Sequence, residues 1–186
     1  MTFLTDAYIL RQAPRGDYDL AITAYTKELG KIAAVAKGAK KMTSKLRPHL
    51  EFFCLTRLMA APGSGVFRLA GAGIIQGFKT IRQDANRVVY ALAYLEAVDL
   101  LTPNQSADQE LFFLLNNFFV QLDAAADDKQ KRLVFNRALY DLLAHLGWRP
   151  RLKAGSQKQL TSELGRLVTE AGDKELKSLA SLLRQE

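Results

Sequence analysis

The chain has 186 residues, 48% of them hydrophobic and 24% charged, with a formal net charge of +7. That composition supplies one large domain or two small ones. No apolar run approaches the roughly 18 residues of a membrane span, and the N-terminus, MTFLTDAYILRQ, lacks the basic start, apolar core and cleavage site of a secretory signal.

The first 80 residues carry the period of strands. Phe3–Arg11 alternates loosely and is rich in aromatic and β-branched residues. Arg15-Gly16-Asp17 has turn chemistry, and Leu20–Thr26 reads as a second strand. Glu28-Leu29-Gly30 is a tight connection in which Gly30 takes positive φ, followed by a third strand, Lys31–Ala36. Leu50–Ala60 reads as a long fourth strand and Pro62-Gly63-Ser64-Gly65 as its turn. Val66–Phe78 makes a fifth strand, interrupted by Gly71 and Gly73. Phe52 and Phe53, as neighbours in a strand, would face opposite sides, one into the core and one open to stack on a base. Cys54 is the single cysteine and forms no internal disulfide; it reads as a small core residue in a reducing cytoplasm. Five short strands with glycines at the bends suit a small closed barrel, of the oligonucleotide-binding (OB) type or an SH3-like one.

From about residue 81 the period becomes helical. Asp84–Leu101 puts Val88, Ala91, Leu92, Leu95, Val98 and Leu101 near one face. Ser106 with Gln109 suggests a capping box opening a helix to about Ala125. Asp127 or Asp128 opens a third helix, and Gly147 closes it as a C′ glycine. Two more helices are expected near Ser156–Thr169 and Asp173–Gln185. The predicted class is α+β: an OB-type barrel in residues 1–80, then an α-helical domain in residues 81–186.

The charge is unevenly spread. Residues 1–80 hold twelve Lys and Arg against five Asp and Glu, whereas residues 81–186 hold fourteen of each. All the excess therefore belongs to the barrel, which points to a polyanionic partner. An anionic membrane would call for an amphipathic helix with apolar anchors beside the cations, and none is visible. The richest stretch is KGAKKMTSKLR. With Lys31 it contributes Lys37, Lys40, Lys41, Lys45 and Arg47, and no acid falls between Lys31 and Arg47. A solvated loop that only aids solubility is the bland reading. Against it, the run joins two barrel strands and contains Gly38, Thr43 and Ser44, which offer donors to phosphate. Arg57 and Arg68 on neighbouring strands would extend the patch. Lysine outnumbers arginine, which favours phosphate contact over base reading. Neutralising five or six phosphates would give a log–log salt slope of roughly −4 to −5.

Enzymatic chemistry leaves no comparable mark. His49 and His145 stand far apart, and no His, Cys or Asp cluster has metal-ligand spacing. Gly71, Gly73 and Gly77 make a spacing one residue longer than the dinucleotide fingerprint. The chain is read as non-enzymatic, with no cofactor and no metal. An RNA-binding barrel has the same electrostatics as a DNA-binding one. An adaptor whose helical domain captures an acidic peptide is a further reading.

Several stretches together resemble the RecO family of bacterial recombination mediators. Tyr8-Ile9-Leu10 precedes Gly16-Asp17-Tyr18-Asp19. The run from Tyr25 to Lys41 contains Thr26, Gly30, Lys31, Lys37 and Gly38, and leads to Ser44-Lys45-Leu46 and Leu50-Glu51-Phe52-Phe53. Tyr90–Asp99 resembles the family's first helix after the barrel, and Leu146-Gly147-Trp148-Arg149-Pro150 its exit from a helix. The resemblance implies an OB barrel, a helical domain and no turnover. It also implies binding of single- and double-stranded DNA, strand annealing, and help in loading RecA onto strands coated by single-stranded-DNA-binding protein, with RecR. On matching positions, Lys37, Lys40, Lys41, Lys45 and Arg47 would contact phosphates. Capture of the acidic, Phe-ending tail of the single-strand-binding protein would fall to the helical domain, with Phe112, Phe113, Phe118 and Phe119 near Arg137 or Arg149 as candidates. Where many relatives carry four zinc-binding cysteines, this chain has Arg151-Leu152-Lys153-Ala154-Gly155, so it is read as a short form without zinc.

Overall fold

The computed structural model describes residues 1–148, 155–172 and 177–178. Five strands come first: β1 Phe3–Arg15, β2 Asp19–Thr26, β3 Gly30–Ala36, β4 Cys54–Ala61 and β5 Phe67–Gly77. They close into a barrel in the order β1-β2-β3-β5-β4. β4 returns antiparallel to β1, and β3 meets β5 in parallel through Ala34↔Phe67 and Val35↔Arg68. This is the OB order, which decides against the SH3-like alternative. The interior of so small a barrel is narrow. Alanines (Ala7, Ala24, Ala34, Ala36, Ala60) accordingly alternate with Ile9, Ile22, Ile32, Leu58 and Leu69 in one buried cluster.

The barrel unit comprises Met1–Gly77 together with Thr102–Phe112. The second segment lies along β3. Asn104 bridges Lys31, and the Gln105 N–H donates to the Lys31 carbonyl at 2.8 Å. Phe112 closes over Tyr8, with ring centroids 6.0 Å apart. Gly30 makes this close approach feasible. Its φ is +67°, and a Cβ there would lie 2.1 Å from the Ser106 carbonyl oxygen. Thr26 shapes the same turn: its hydroxyl donates to the Gly30 carbonyl at 2.9 Å and accepts from the Leu29 N–H at 3.1 Å.

The helical unit contains α1 Lys79–Arg82, α2 Ala85–Leu101, α4 Asp128–His145 and α5 Gln157–Gly172, with α3 Gln109–Ala124 entering it at Phe113. Asp123 caps α1 by accepting from the Thr80 and Ile81 N–H groups at 3.1 and 3.3 Å. Aromatic pairs fill the space between helices: Tyr94 with Phe118 at 4.1 Å, Tyr90 with Phe135 at 4.9 Å. Lys131 is buried on α4, where its ammonium donates to Asp128 at 2.8 Å and to Asp84 ahead of α2. Those bonds hold both carboxyls below their usual range. Asn136 donates to the Gln157 carbonyl at 2.9 Å and accepts from the Thr161 hydroxyl at 2.8 Å, tying α4 to α5.

Several expectations need correction in detail. β1 runs four residues further than its alternation suggests, because a bulge between Ile9 and Arg11 shifts its register against β2. β4 starts at Cys54, not Leu50. Residues Arg47–His49 form a 3-10 turn, and Phe53 sits at φ +61° in a bend. Phe52 and Phe53 are therefore not strand neighbours on opposite faces. They pack with centroids 6.1 Å apart; Phe53 is buried, and Phe52 lies half-buried against the barrel core. Asp108, not Ser106, caps α3, accepting from the Leu111 N–H at 2.9 Å. Asp127 does cap α4, and Gly147 does follow it at φ +89°. α1 is too short to leave a period in the sequence. The helix expected near Asp173–Gln185 falls largely outside the described residues.

Gly30→Ala is expected to cost roughly 2–4 kcal/mol of stability, combining left-handed strain with a backbone clash. Gly16 has a similar φ of +61° but open space around it, so Gly16→Ala is expected to cost only about 1 kcal/mol. Urea unfolding of the two variants measures both values. Equal midpoints would contradict the docking of residues 102–112 against Gly30.

Candidate nucleic-acid interface

The β3–β4 connection, residues 37–53, is fastened to the β1–β2 turn by its backbone. The Gly38 N–H donates to Asp19 Oδ1 at 2.7 Å, and the Lys40 N–H donates to the Tyr18 carbonyl at 2.8 Å. Gly38 takes a φ of +65°, which lets the chain leave β3 sharply. Ala39 and Leu50 then bury themselves in the barrel cluster, and Leu46 packs against it. The Ser44 hydroxyl oxygen accepts from the Leu46 and Arg47 N–H groups at 3.3 and 3.4 Å, starting the 3-10 turn. Gly38 and Ser44 therefore serve the loop's own shape: the Gly38 N–H expected to meet a phosphate is already used by Asp19.

The cations are left to the outside. Lys37, Lys41, Lys45 and Arg47 are exposed and Lys40 is partly so. Lys40 Nζ donates to the Gly16 carbonyl at 3.1 Å, and Lys41 Nζ stands 5.1 Å from the centroid of the Tyr18 ring. Among the described residues, no carboxylate pairs with any of these five. Acidic residues are near in sequence, namely Asp17, Asp19 and Glu51; Asp19 accepts a backbone amide of the loop. Arg68, the second residue of β5, is in register with Val35, two residues before Lys37, so its backbone lies within roughly 10 Å of the loop's start. Arg15 ends β1 opposite Asp19 and is exposed beside the same turn.

Two predicted residues are not part of this arrangement. Lys31 is only 8% exposed, held beneath the segment that carries Asn104 and Gln105. Arg57 sits in β4 in register with Asp6 of β1, and its guanidinium grips that carboxylate through two bonds of 2.8 and 3.2 Å. The bonds to Asp6 push its pKa above the ordinary arginine value. Along β4 it lies four residues, or about 13 Å, from the register partner of Arg68. The sequence reading in turn missed Arg15 and Tyr18. Their signal was the turn Arg15-Gly16-Asp17 itself, but the contact between that turn and Lys40 spans too many residues to be read from a local pattern.

The candidate peptide residues also separate. Phe112 is buried over Tyr8 in the barrel unit, while Phe113 is exposed in the helical unit. Arg137 lines a cleft of about 350 Å³ in the helical unit, with Phe118, Tyr94, Leu114 and Val134 as apolar lining. It is exposed and donates to Asp141 at 2.8 Å. Tyr94 is fully buried and its hydroxyl lacks a hydrogen-bond partner. Arg149 lies outside the described residues. Among the described residues no group of His, Cys, Asp and Glu could hold a metal ion, and no helix is long and apolar enough to cross a membrane.

The strand order and the cationic connection define the class: an oligonucleotide-binding-fold barrel with a helical unit in the same chain. Comparison with known families narrows it. The family described as "Recombination protein O N terminal" matches residues 1–78, and "Recombination protein O C terminal" matches residues 82–178. The chain is 31% identical over 172 residues to a DNA repair protein RecO of Dehalococcoides mccartyi, an alignment covering 91% of this chain and 67% of that one. A DNA repair protein RecO of Myxococcus xanthus is 34% identical over 153 residues, covering 81% of this chain and 61% of that one. One from Acetivibrio thermocellus is 27% identical over 145 residues, covering 77% and 58%. The chain belongs to the RecO family of DNA repair proteins, and its matches span 58–67% of the length of these curated relatives.

Proposed function

We propose that this chain is a non-catalytic mediator that binds single- and double-stranded DNA through the β3–β4 connection. It would anneal complementary strands and assist RecA loading in recombinational repair, in the cytoplasm and at the nucleoid. The observation that carries this reading is the anchoring of the loop. Lys37, Lys40, Lys41, Lys45 and Arg47 are borne on a segment pinned through its amides and apolar side chains, with no carboxylate paired to them among the described residues. DNA releases condensed counterions when such cations replace them, and this term is independent of sequence. Backbone binding alone also suits annealing, because the base edges stay available for pairing. Arg68 and Arg15 would extend the track. Arg57 would add little, since Asp6 already neutralises it. Lys31 is too buried to join.

The quadruple variant Lys37→Ala, Lys40→Ala, Lys41→Ala, Lys45→Ala tests the reading. Its affinity for DNA of any sequence is expected to fall at least about tenfold at moderate salt. Its log–log salt slope on duplex should shrink by about 3–4, at roughly 0.9 per phosphate contact. Annealing should fall with it. Fluorescence anisotropy across a salt series measures the first two, and unchanged affinity would remove the site.

A second contact concerns the proposed partners, single-stranded-DNA-binding protein and RecR. The cleft beside Arg137 is the candidate for capture of an acidic, Phe-ending tail, because Leu114, Phe118 and Val134 line it beside a cation, among the polar side chains of Asn117, Gln121 and Asp141. The tail's carboxylate would have to displace Asp141 from Arg137. Titration calorimetry of the full chain with such a peptide is expected to show micromolar-range binding, weakened by Arg137→Ala and strengthened by Asp141→Asn. An Arg137→Ala variant that binds as tightly as the parent would exclude this cleft.

A further inference from the structure

Tyr18 stands out on the same surface. Of the eight Phe and Tyr rings in the barrel unit it is the one that is exposed, at 58%. Tyr8, Tyr25, Phe53 and Phe112 are buried, and Phe3, Phe52 and Phe67 are half-covered. Its setting is not that of a stray surface ring. Tyr18 accepts the Lys40 N–H through its carbonyl, and the following residue, Asp19, accepts the Gly38 N–H. Lys40 reaches back to the Gly16 carbonyl, and the Lys41 ammonium stands over the ring. Tyr18 is thus tied through its backbone to the segment that bears the proposed phosphate-binding cations, with its ring beside Lys41.

The neighbouring sheet has no substitute for it. Ile22 and Ala24 of β2, and Ile32, Ala34 and Ala36 of β3, point into the core. Of the alternate positions, Tyr25, Lys31 and Val35 are buried, and Ala21, Thr23 and Ala33 remain at least partly exposed on the outer face. Those side chains let a backbone approach closely but give a base nothing to stack on.

We propose that Tyr18 is the base-contacting residue of this interface, stacking on an unpaired nucleobase of a strand whose phosphates are held by Lys40 and Lys41. The inference rests on the DNA-binding reading above and deepens it. Lys41 covers one side of the ring; the base takes the other, or takes the side Lys41 vacates when a phosphate draws it off. Bases inside a duplex are already stacked on each other, so the ring contributes only to strands with unpaired bases. Lysines alone would follow phosphate density; adding one ring lets the surface distinguish an unpaired strand from a duplex.

The test uses the full chain, a labelled single strand carrying 2-aminopurine, and a duplex of the same sequence. Tyr18→Ala is expected to weaken single-strand binding about fivefold or more, as expected for losing one stacked base. Duplex affinity should stay within about twofold, and the salt slope should not change. Tyr18→Phe should keep single-strand affinity. Quenching of 2-aminopurine should appear with the parent and Tyr18→Phe and disappear with Tyr18→Ala. Equal effects of Tyr18→Ala on both DNA forms, no effect on either, or quenching that survives Tyr18→Ala would overturn the proposal while leaving phosphate binding by the lysines intact. A parent chain that binds neither DNA form would instead overturn the DNA-binding reading and this inference with it.

Discussion

The arrangement depends on how a stretch of like charges is held still. Five cations within the eleven residues from Lys37 to Arg47 repel one another, with screening over a Debye length of about 8 Å at physiological salt. The economical solution would be to pair each with a carboxylate. This chain instead pins the backbone. Asp19 accepts an amide, Tyr18 offers a carbonyl to another, and Ala39, Leu46 and Leu50 give the loop an apolar root in the barrel. The restraint acts on the main chain, so the side-chain charge remains uncompensated. The proposed DNA ligand would relieve that repulsion, which would couple the loop's stability to binding.

Arg57 shows the opposite solution within the same barrel. Its guanidinium meets Asp6 through two bonds across the β1–β4 ladder, a pairing that knits strands and leaves little net field. Lys31 shows a third, burial beneath residues 102–112. The family-like positions Thr26 and Gly30 belong to architecture as well. They shape the turn into β3 and admit the segment at Ser106, while the cations ten residues on face outward. The run from Tyr25 to Lys41 therefore combines two jobs, folding at its start and charge presentation at its end.

The sequence made the large features readable because each has a local cause. Alternation marks β2 and β3, helical spacing marks α2, Asp127 caps α4, and Gly147 ends it. Charge counting found the β3–β4 connection without any knowledge of topology. The failures share a different cause. The bulge at Leu10 breaks the period on which β1 was read, and the bend at Phe53 looks in sequence like more of an apolar strand. The pairing of Arg57 with Asp6 spans fifty-one positions, and that of Lys40 with Gly16 spans twenty-four. Strand register brings the first pair together, and the packing of loop against turn the second. The candidate site was thus legible as a list of cations, but not as a sorted list of which are exposed and which are used internally.

The most direct test of the account is amide hydrogen exchange of the chain with and without a short duplex. Protection on binding is expected at residues 37–47 and at the turn 15–18, with the β4–β5 positions around Arg57 and Gly73 unchanged. Protection centred on Arg57, or confined to the helical unit while residues 37–47 exchange as in the free chain, would contradict it.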